Sequence, residues 1–163
     1  MRLFLLLGGN LGNRFQLLKL AKTRLIELVG SLVNESGLYE TAPWGVTDQP
    51  SYLNQVLELQ TDLAPIDVLN QTQAIENALG RVRHERWDSR LIDIDLLYYD
   101  DLILQTDRLT LPHPLLHQRR FALMPLCEIA PDLVHPILEK SNADLLAECP
   151  DFGYVFLTNT ANG

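Results

Sequence analysis

A short run of alternating acidic and apolar residues, Ile92-Asp93-Ile94-Asp95-Leu96, most strongly constrains how this chain can fold. Alternation with a period of two is typical of a β-strand with one buried face. Successive side chains of a strand point to opposite faces, so Asp93 and Asp95 should share one face, about 6.5–7 Å apart. Two carboxylates at that spacing can hold Mg²⁺, which usually takes one or two protein carboxylates and completes its shell with phosphate oxygens and water.

Arginine is concentrated immediately before this predicted strand. Four arginines and a tryptophan lie within ten residues: Arg81, Arg83, Arg86, Trp87 and Arg90. Residues 26–79 contain no lysine or arginine, so this cluster is a local exception. Guanidinium groups pair bidentately with phosphate oxygens, so the arginines and the two aspartates together predict a site for Mg²⁺ and a polyphosphate. The alternative is a solvated strand face beside arginines that form weak surface ion pairs.

Length and charge limit the class of protein. A chain of 163 residues is expected to form a single domain, residues 1–163, with a substantial core. Its net charge of −8 disfavours binding to nucleic acid or to a membrane surface, and no apolar run approaches the length of a membrane span. Cys127 and Cys149 lack metal-ligand spacing and favour a reducing compartment. We therefore expect a cytoplasmic protein without nucleic-acid or membrane partners. We also expect a monomer, although neither charge nor cysteine content determines the oligomeric state.

The order of apolar and glycine-containing segments predicts strands that alternate with helices. Strands are expected at residues 3–7, 32–39, 52–61, 92–96 and 154–157. Helices are expected from the glycine turn 8–13 to residue 29, over 65–79 with Gly80 as the stop, and over 121–129 with Pro125 bending or restarting the helix. Segment 40–50 contains two prolines and a glycine and is expected to be a loop. Gln73 and Glu76 share one helix face, which is typical of solvated surface.

Three features allow both a binding role and a structural one. Tyr52 and Asn54 share a strand face, where a ring beside an amide can stack on and read a flat heterocycle, or simply pack across strands. His113 lies between two prolines and is either a structural residue or a hydrogen-bond donor to phosphate. The glycine turn 8–13 can hold a phosphate at a helix N-terminus or can serve the backbone conformation alone.

A series of motifs occurs in one order between residue 3 and about residue 131. The motifs are Gly8-Gly9-Asn10-Leu11-Gly12, Tyr39-Glu40-Thr41-Ala42-Pro43-Trp44-Gly45, Asp48-Gln49-Pro50-Ser51-Tyr52-Leu53-Asn54, Gln73-Ala74-Ile75-Glu76, Gly80-Arg81-Val82-Arg83, Arg86-Trp87, Arg90 with Asp93-Ile94-Asp95, and Leu111-Pro112-His113-Pro114 with Arg119 and Phe121. With these motifs the chain resembles the 6-hydroxymethyl-7,8-dihydropterin pyrophosphokinases of folate biosynthesis.

The resemblance implies a fold of the α+β class, a ferredoxin-like antiparallel sheet packed with helices. It also implies transfer of pyrophosphate from MgATP to the pterin hydroxymethyl group, with release of AMP and with two Mg²⁺ ions on Asp93 and Asp95. The implied catalytic residues are Arg81, Arg90, Asp93 and Asp95. The residues implied to contact ATP are Arg81, Arg83, Arg86, Trp87, Arg90, His113 and Arg119. The residues implied to line the pterin pocket are Thr41, Ala42, Trp44, Tyr52, Asn54, Trp87 and Phe121.

The chain departs from the usual family pattern at three points. Gly9 stands where serine is usual, so a side-chain contact is absent there. The sequence Trp87-Asp88-Ser89-Arg90 replaces Trp-Gly-Pro-Arg, and the arginine segment is one residue shorter than in some relatives. These changes concern the motion of residues 84–89, which we expect to close as a lid over both substrates.

Two other classes of protein use some of the same features. A dinucleotide-binding oxidoreductase would use the first glycine turn, but the Gly-x-Gly-x-x-Gly fingerprint is absent. A ferredoxin-like nucleic-acid-binding module would use Tyr52, Trp87 and the arginines, but the net charge of −8 opposes it.

Overall fold

The computed structural model of the protein describes residues 1–42, 51–81 and 91–158. The strands in these ranges are β1 (Arg2–Gly9), β2 (Gly30–Glu35), β3 (Tyr39–Thr41), β4 (Tyr52–Thr61), β5 (Asp93–Tyr99), β6 (Leu104–Gln105), β7 (Thr110–Leu111) and β8 (Val155–Leu157). The helices are α1 (Arg14–Leu28), α2 (Pro65–Glu76), α3 (Arg120–Ile129) and α4 (Asn142–Ala147). None of the described helices is long and apolar enough to span a membrane.

The main sheet has the antiparallel, ferredoxin-like arrangement that the resemblance implied. Its strand order is β5-β1-β4-β3-β8, and β2 pairs with the other half of β4. The chain therefore passes through β1, α1, the β2–β3 pair, β4, α2 and β5, with β1 in the middle between β4 and β5. A dinucleotide-binding fold needs a parallel sheet behind its glycine turn. The antiparallel pairing of β1 therefore removes that alternative.

The strand predicted at residues 32–39 is divided in two. β2 ends at Glu35, and β3 begins at Tyr39 and continues through Thr41, so the expectation of a loop from residue 40 was wrong. Ser36 occupies the gap: its N–H donates to the Val56 carbonyl, and its hydroxyl accepts from the Val56 N–H at 3.0 Å. Residues 40 and 41 are extended because β3 pairs with β4 on one side and with β8 on the other. Neither partner strand adjoins them in sequence.

Both faces of the sheet are covered by helices. Leu3, Leu5 and Leu7 of β1 belong to the core under α1 and α2, whereas Phe4 and Leu6 belong to a second core under α3 and α4. This two-sided burial explains why β1 is a continuous apolar run rather than an alternating one. A bare ferredoxin-like sheet would leave the second face open, and here α3 closes part of it.

The helix ends follow local sequence signals. The Asn13 side chain caps α1 by accepting from the Gln16 N–H at 3.1 Å. Pro65 occupies the first position of α2, and a π-helical turn from Asn77 to Arg81 follows, with Gly80 at a φ of 107° that favours glycine. α3 is one helix from Arg120 to Ile129 with Pro125 in its interior, so the helix does not restart at this proline.

Gly9 is required by the close approach of another part of the chain. A Cβ atom at this position would lie 2.2 Å from the carbonyl oxygen of Leu91, just before β5. The Leu91 side chain also lies against Gly12 and Gly80, where added Cβ atoms would meet it at 3.4 and 2.6 Å. Leu91 therefore packs against three glycines, and this packing gives a steric reason why position 9 is glycine rather than serine.

We predict that Gly9→Ser lowers the free energy of unfolding by about 1–3 kcal/mol, because the added Cβ forces the Leu91 carbonyl to move. Urea unfolding of the purified variant measures this change. Gly153→Ala is a milder comparison and should cost less, since its Cβ would be crowded at 3.2–3.3 Å from its nearest neighbours but would not overlap a backbone atom at 2.2 Å as at Gly9. Equal stability of Gly9→Ser and the wild type would contradict the packing described for residue 91.

Candidate active site

Most of the functional side chains predicted within the described residues meet on the α3 face of the sheet, where β3 ends and β4 and β5 begin. The register of β1 explains how: Gly8 pairs with Asp93 of β5 on one side and with Asn54 of β4 on the other. A Cβ on Gly8 would lie 2.3 Å from the Asn54 Nδ2 atom. The absence of a side chain on Gly8 therefore leaves room for the amide and keeps the space between Asn54 and Asp93 open.

A pocket of about 190 Å³ occupies this space. We call it the first pocket; its lining residues are Leu6, Gly8, Thr41, Ala42, Tyr52, Asn54, Asp93, Asp95, Arg119 and Phe121. Five of the residues expected at the pterin and both expected metal ligands are thus brought together. Leu6 and Gly8 were not predicted, because an apolar strand followed by glycine has no feature that distinguishes a pocket floor from core.

The polar groups of the first pocket are held in fixed orientations. The Thr41 hydroxyl donates to the Asn54 Oδ1 atom at 2.6 Å, and the Asn54 Nδ2 atom donates to the Leu7 carbonyl at 3.4 Å. Both residues are almost fully buried. These two bonds define which way the Asn54 amide points, and Tyr52 lies beside it on the same face of β4.

Arg119 brings positive charge to the carboxylates. Its Nη1 atom lies 3.9 Å from the Asp95 Oδ2 atom, and its guanidinium carbon lies 5.5 Å from the centre of the Phe121 ring. Arg119 directly precedes α3, and Phe121 is the second residue of that helix. The start of α3 therefore supplies both a cation and an aromatic wall.

A second pocket of about 240 Å³ lies on the other side of Asp95. Its lining residues are Leu69, Ile94, Asp95, Leu96, Thr106, Asp107, Arg108, Leu109, Thr110, His113 and Pro114. Arg108 is held over α2, where its Nη2 atom donates to Asn70 at 2.8 Å and to Gln73 at 3.0 Å. Arg108 was missed by the sequence analysis, since a single arginine between short extended segments carries no recognisable motif.

His113 is held as a neutral ring. Burial, and then the charge of Arg119, lowers the pKa of His113 from 6.5 to about 4. Its Nδ1 atom accepts from the Leu115 N–H at 3.1 Å, so at neutral pH the ring proton is on Nε2. His113 can therefore donate a hydrogen bond to an anion in the second pocket without bringing a full charge of its own.

Glu76 corrects the expectation of a solvated helix face. Gln73 is exposed, but Glu76 is only 6% exposed, and its Oε2 atom accepts from the Ile94 N–H at 2.7 Å. Ile94 lies between Asp93 and Asp95 in β5. Glu76 therefore fixes the backbone of the acidic strand from the opposite face of the sheet, a contact between distant residues that helical periodicity does not reveal.

Glu40 is a second carboxylate that stabilises the strands of the site from the opposite face of the sheet. Glu40 of β3 accepts hydrogen bonds from the Arg14 guanidinium and, at 2.5 Å, from the Ser51 hydroxyl. Its neighbours along the chain, Tyr39 and Thr41, point to the α3 face, so Glu40 lies on the α1 face. Partial burial raises the pKa of Glu40, but the hydrogen bonds from Arg14 and Ser51 outweigh burial and lower the pKa overall.

Several predicted residues lie outside the described part of the chain. These are Trp44, Arg83, Arg86, Trp87 and Arg90, together with the side chain of Arg81 and the expected lid at residues 84–89. Within the described ranges, no group of three or more His, Cys, Asp or Glu side chains is arranged to hold a metal ion. Asp93 and Asp95 would therefore leave most ligand positions of a cation to other donors.

We predict that Glu40→Gln lowers the free energy of unfolding by about 1–2 kcal/mol at pH 7, because the three hydrogen bonds from Arg14 and Ser51 lose their ionised acceptor. A carboxyl whose pKa is lowered by folding contributes stability above its unfolded pKa and loses it as pH falls through the folded pKa. The difference between wild type and variant should therefore shrink below about pH 4.5. Urea unfolding at several pH values measures it.

Glu148→Gln is the control, since the Glu148–Lys140 pair has side chains that are 55% and 47% exposed. Its effect on unfolding should be close to zero at every pH. A difference for Glu40→Gln that is the same at pH 7 and pH 3.5 would contradict the role given to the Glu40 charge.

Comparison with known proteins identifies relatives. The model of the 7,8-dihydro-6-hydroxymethylpterin-pyrophosphokinase family matches residues 4–131. A 2-amino-4-hydroxy-6-hydroxymethyldihydropteridine pyrophosphokinase of Haemophilus influenzae is 42% identical over 134 residues, which are 82% of this chain and 84% of that protein. The folic acid synthesis protein fol1 of Schizosaccharomyces pombe is 36% identical over 92% of this chain, but the match is only 21% of that longer protein.

Solved structures share the fold at low sequence identity. The wild-type HPPK-DHPS of Plasmodium falciparum, crystallised with pteroate, superposes with a TM-score of 0.73 at 16% identity. The superposition covers 90% of this chain and 42% of the other chain. The described strands and helices thus form the same fold as one part of that larger protein.

Proposed function

Because the chain belongs to the 7,8-dihydro-6-hydroxymethylpterin-pyrophosphokinase family, we propose that its first pocket binds the pterin and its second pocket binds MgATP. Family membership makes the protein a pyrophosphokinase of folate biosynthesis that uses ATP as co-substrate. The single observation that carries the assignment of pockets is the position of Asp95, which lines both. A metal-binding carboxylate at that junction can reach phosphates in one pocket and an acceptor hydroxyl in the other.

The first pocket has the chemistry to bind a pterin. Tyr52 and Phe121 supply aromatic surface for a flat ring, and the Asn54 amide supplies hydrogen-bonding groups that Thr41 orients. Ala42 is small and leaves space at the end of β3. Trp44 and Trp87, which lie outside the described residues, are proposed to complete the pterin site.

The second pocket has the chemistry to bind the nucleotide. His113 donates from Nε2 as a neutral ring, and Arg108 brings a guanidinium held by α2. We propose that Arg119 and the arginines at positions 81, 83, 86 and 90 meet the triphosphate, with Arg81 and Arg90 stabilising the charge that develops toward AMP. Leu69, Leu96 and Leu109 supply apolar surface to the same pocket.

The acidic strand fits a hard cation. Asp93 and Asp95 offer only oxygen donors from one face of β5, which suits Mg²⁺ with phosphate and water oxygens in the other positions. We propose two Mg²⁺ ions, both held by these carboxylates. When bound, Mg²⁺ neutralises phosphate charge and orients the triphosphate. Arg119, at 3.9 Å from Asp95, limits the local negative charge before the substrates bind.

The reaction needs positioning more than a protein nucleophile. The hydroxymethyl oxygen of the pterin attacks the β-phosphorus and loses its proton to the surrounding water, and the bond from that phosphorus to the α,β-bridging oxygen breaks as AMP leaves. The chain's own residues hold the pterin at Asn54 and Tyr52 and the phosphates at His113 and the arginines, in adjoining pockets. We propose that the enzyme acts as a cytoplasmic monomer, as expected from the sequence.

Incubation with ATP, Mg²⁺ and 6-hydroxymethyl-7,8-dihydropterin tests the proposal directly. We expect AMP and diphosphorylated pterin in equal amounts, because the attack is on the β-phosphorus and transfers both terminal phosphates. Chromatography of nucleotides and pterins from one reaction measures both products. Pterin-dependent formation of ADP would place the attack on the γ-phosphorus and contradict the assignment.

The metal assignment is tested by Asp93→Ala and Asp95→Ala. Each variant should lower turnover by at least about a hundredfold, since the site loses a charged ligand at the reacting phosphates. Its free energy of unfolding should change little, because the repulsion between the two carboxylates that is relieved opposes the contacts with positive charge, such as that of Arg119 with Asp95, that are lost. Asp101→Asn, an exposed aspartate in the turn after β5, is the matched control. Near-normal turnover in both alanine variants would disprove the assignment.

A further inference from the structure

We propose that the C-terminal segment 151–157 is a positioning element for the first pocket, and that Asp151 is its principal side chain. The proposal rests on the proposed function of that pocket, because its effect is read as pterin binding. The segment lies beyond residues 4–131, the part of the chain that the family model matches. Family membership therefore assigns it no role.

The segment presents one edge to the protein. Exposure alternates along it: Asp151, Gly153 and Val155 are half-buried, whereas the side chains of residues 152, 154 and 156 are exposed. Phe152 is 94% exposed. The contacts of this segment with the rest of the chain are therefore made by its backbone and by its odd-numbered side chains.

The first contact is with the start of α3. One carboxylate oxygen of Asp151 accepts from the Arg120 N–H at 3.1 Å, and the other accepts from the Gly153 N–H at 2.8 Å. Arg120 is the first residue of α3, so its N–H has no partner within the helix, and negative charge is favourable there. Arg119 and Phe121, the two residues beside it, both line the first pocket. Asp151 thus holds the peptide that joins two pocket side chains.

The second contact is with the end of β3. The Ala42 N–H donates to the Tyr154 carbonyl at 3.1 Å, and Thr41 pairs with Val155 in the β3–β8 ladder. A Cβ on Gly153 would lie only 3.3 Å from the Ala42 Cβ. Thr41 and Ala42 also line the first pocket. One short segment therefore contacts both the β3 wall and the α3 wall of the first pocket.

This arrangement predicts a larger effect on the pterin than on the nucleotide, because Arg119 is the described residue at this contact that is also proposed to meet the triphosphate. The second pocket is lined by residues of α2, β5 and the 104–114 region, none of which receives the contacts made by Asp151 or Tyr154. If the spacing between α3 and β3 changes, the aromatic and amide contacts of the first pocket change, whereas the hydrogen bonds that hold His113 and Arg108 do not. A purely structural role would instead weaken both pockets together.

The test is equilibrium binding to Asp151→Asn in the full-length chain. The first probe is α,β-methylene ATP with Mg²⁺. The second probe is 6-hydroxymethylpterin, which is added to that complex and reports its binding through its own fluorescence. An amide at position 151 keeps one acceptor oxygen, so either the Arg120 N–H or the Gly153 N–H loses its acceptor, and the negative charge at the start of α3 is removed while size is kept. We expect the dissociation constant of the pterin to rise by about fivefold or more, and that of the nucleotide analogue to change by less than about twofold. Asp151→Glu keeps the acceptor oxygens and should show a smaller rise.

One matched control and two truncations complete the design. Asp132→Asn changes an exposed aspartate outside the segment and should bind the pterin as the wild type does. A chain that ends at residue 150 should bind the pterin more weakly than Asp151→Asn, whereas a chain that ends at residue 158 should not differ from the wild type. If the shorter chain does not fold, the point variant alone decides.

The outcomes separate this inference from the proposed function. An unchanged pterin dissociation constant in Asp151→Asn would overturn the inference, and so would a parallel rise for both ligands accompanied by a lower Tm. Wild-type protein that binds the pterin but forms no AMP would contradict the proposed function alone. Wild-type protein that binds no pterin would overturn both.

Discussion

The pairing of β1 with β4 on one side and β5 on the other is the constraint on which the site depends. It places Gly8 between Asn54 and Asp93 in one row across the sheet. Neighbouring strands are about 4.8 Å apart, so an amide and a carboxylate two strands apart can lie against opposite ends of a small ligand. A slip of one residue would turn Asp93 and Asp95 toward the other core. The apolar residues Leu3, Leu5 and Leu7 prevent such a slip because each is already buried under α1 and α2.

The second layer of helices turns this row of side chains into a pocket. α3 packs on the face of the sheet to which the Asp93 and Asp95 side chains point, and it begins beside Asp95. Arg119 and Phe121 enter the pocket from that end. Because α3 begins there rather than crossing the whole face, the face is open at the ends of β3, β4 and β5. The same helix therefore closes the core and leaves the site accessible.

Charge is distributed so that carboxylates both hold the fold and carry the chemistry. Glu76 and Glu40 lie on the side of the sheet away from the pocket, and each is tied to donors of the backbone or of Arg14 and Ser51. Asp93 and Asp95 lie on the pocket side, where the Arg119 guanidinium lies 3.9 Å from Asp95. An acidic chain can therefore contain a polyanion site, since the supporting carboxylates are satisfied by internal donors.

The sequence by itself determined the main elements and the inventory of chemical groups. Period-two alternation located β5 and β4 and placed Tyr52 with Asn54 and Asp93 with Asp95, because the pleat of a strand decides which residues share a face. The motifs located the family. The same reasoning missed Glu76, Arg108 and the extension of β3 through residue 41, since each depends on a partner distant in sequence.

Only the tertiary structure decided which groups meet. The strand register brings the amide of Asn54 to Asp93 across Gly8, and the start of α3 brings Arg119 to Asp95. It also decided that Glu76 is buried beneath Ile94 and that His113 is neutral, because both results come from burial and from neighbours on other elements. Local sequence sets the conformation of each segment through steric and periodic rules. The environment of a side chain is set by the segments that pack against it, and no local pattern encodes that packing.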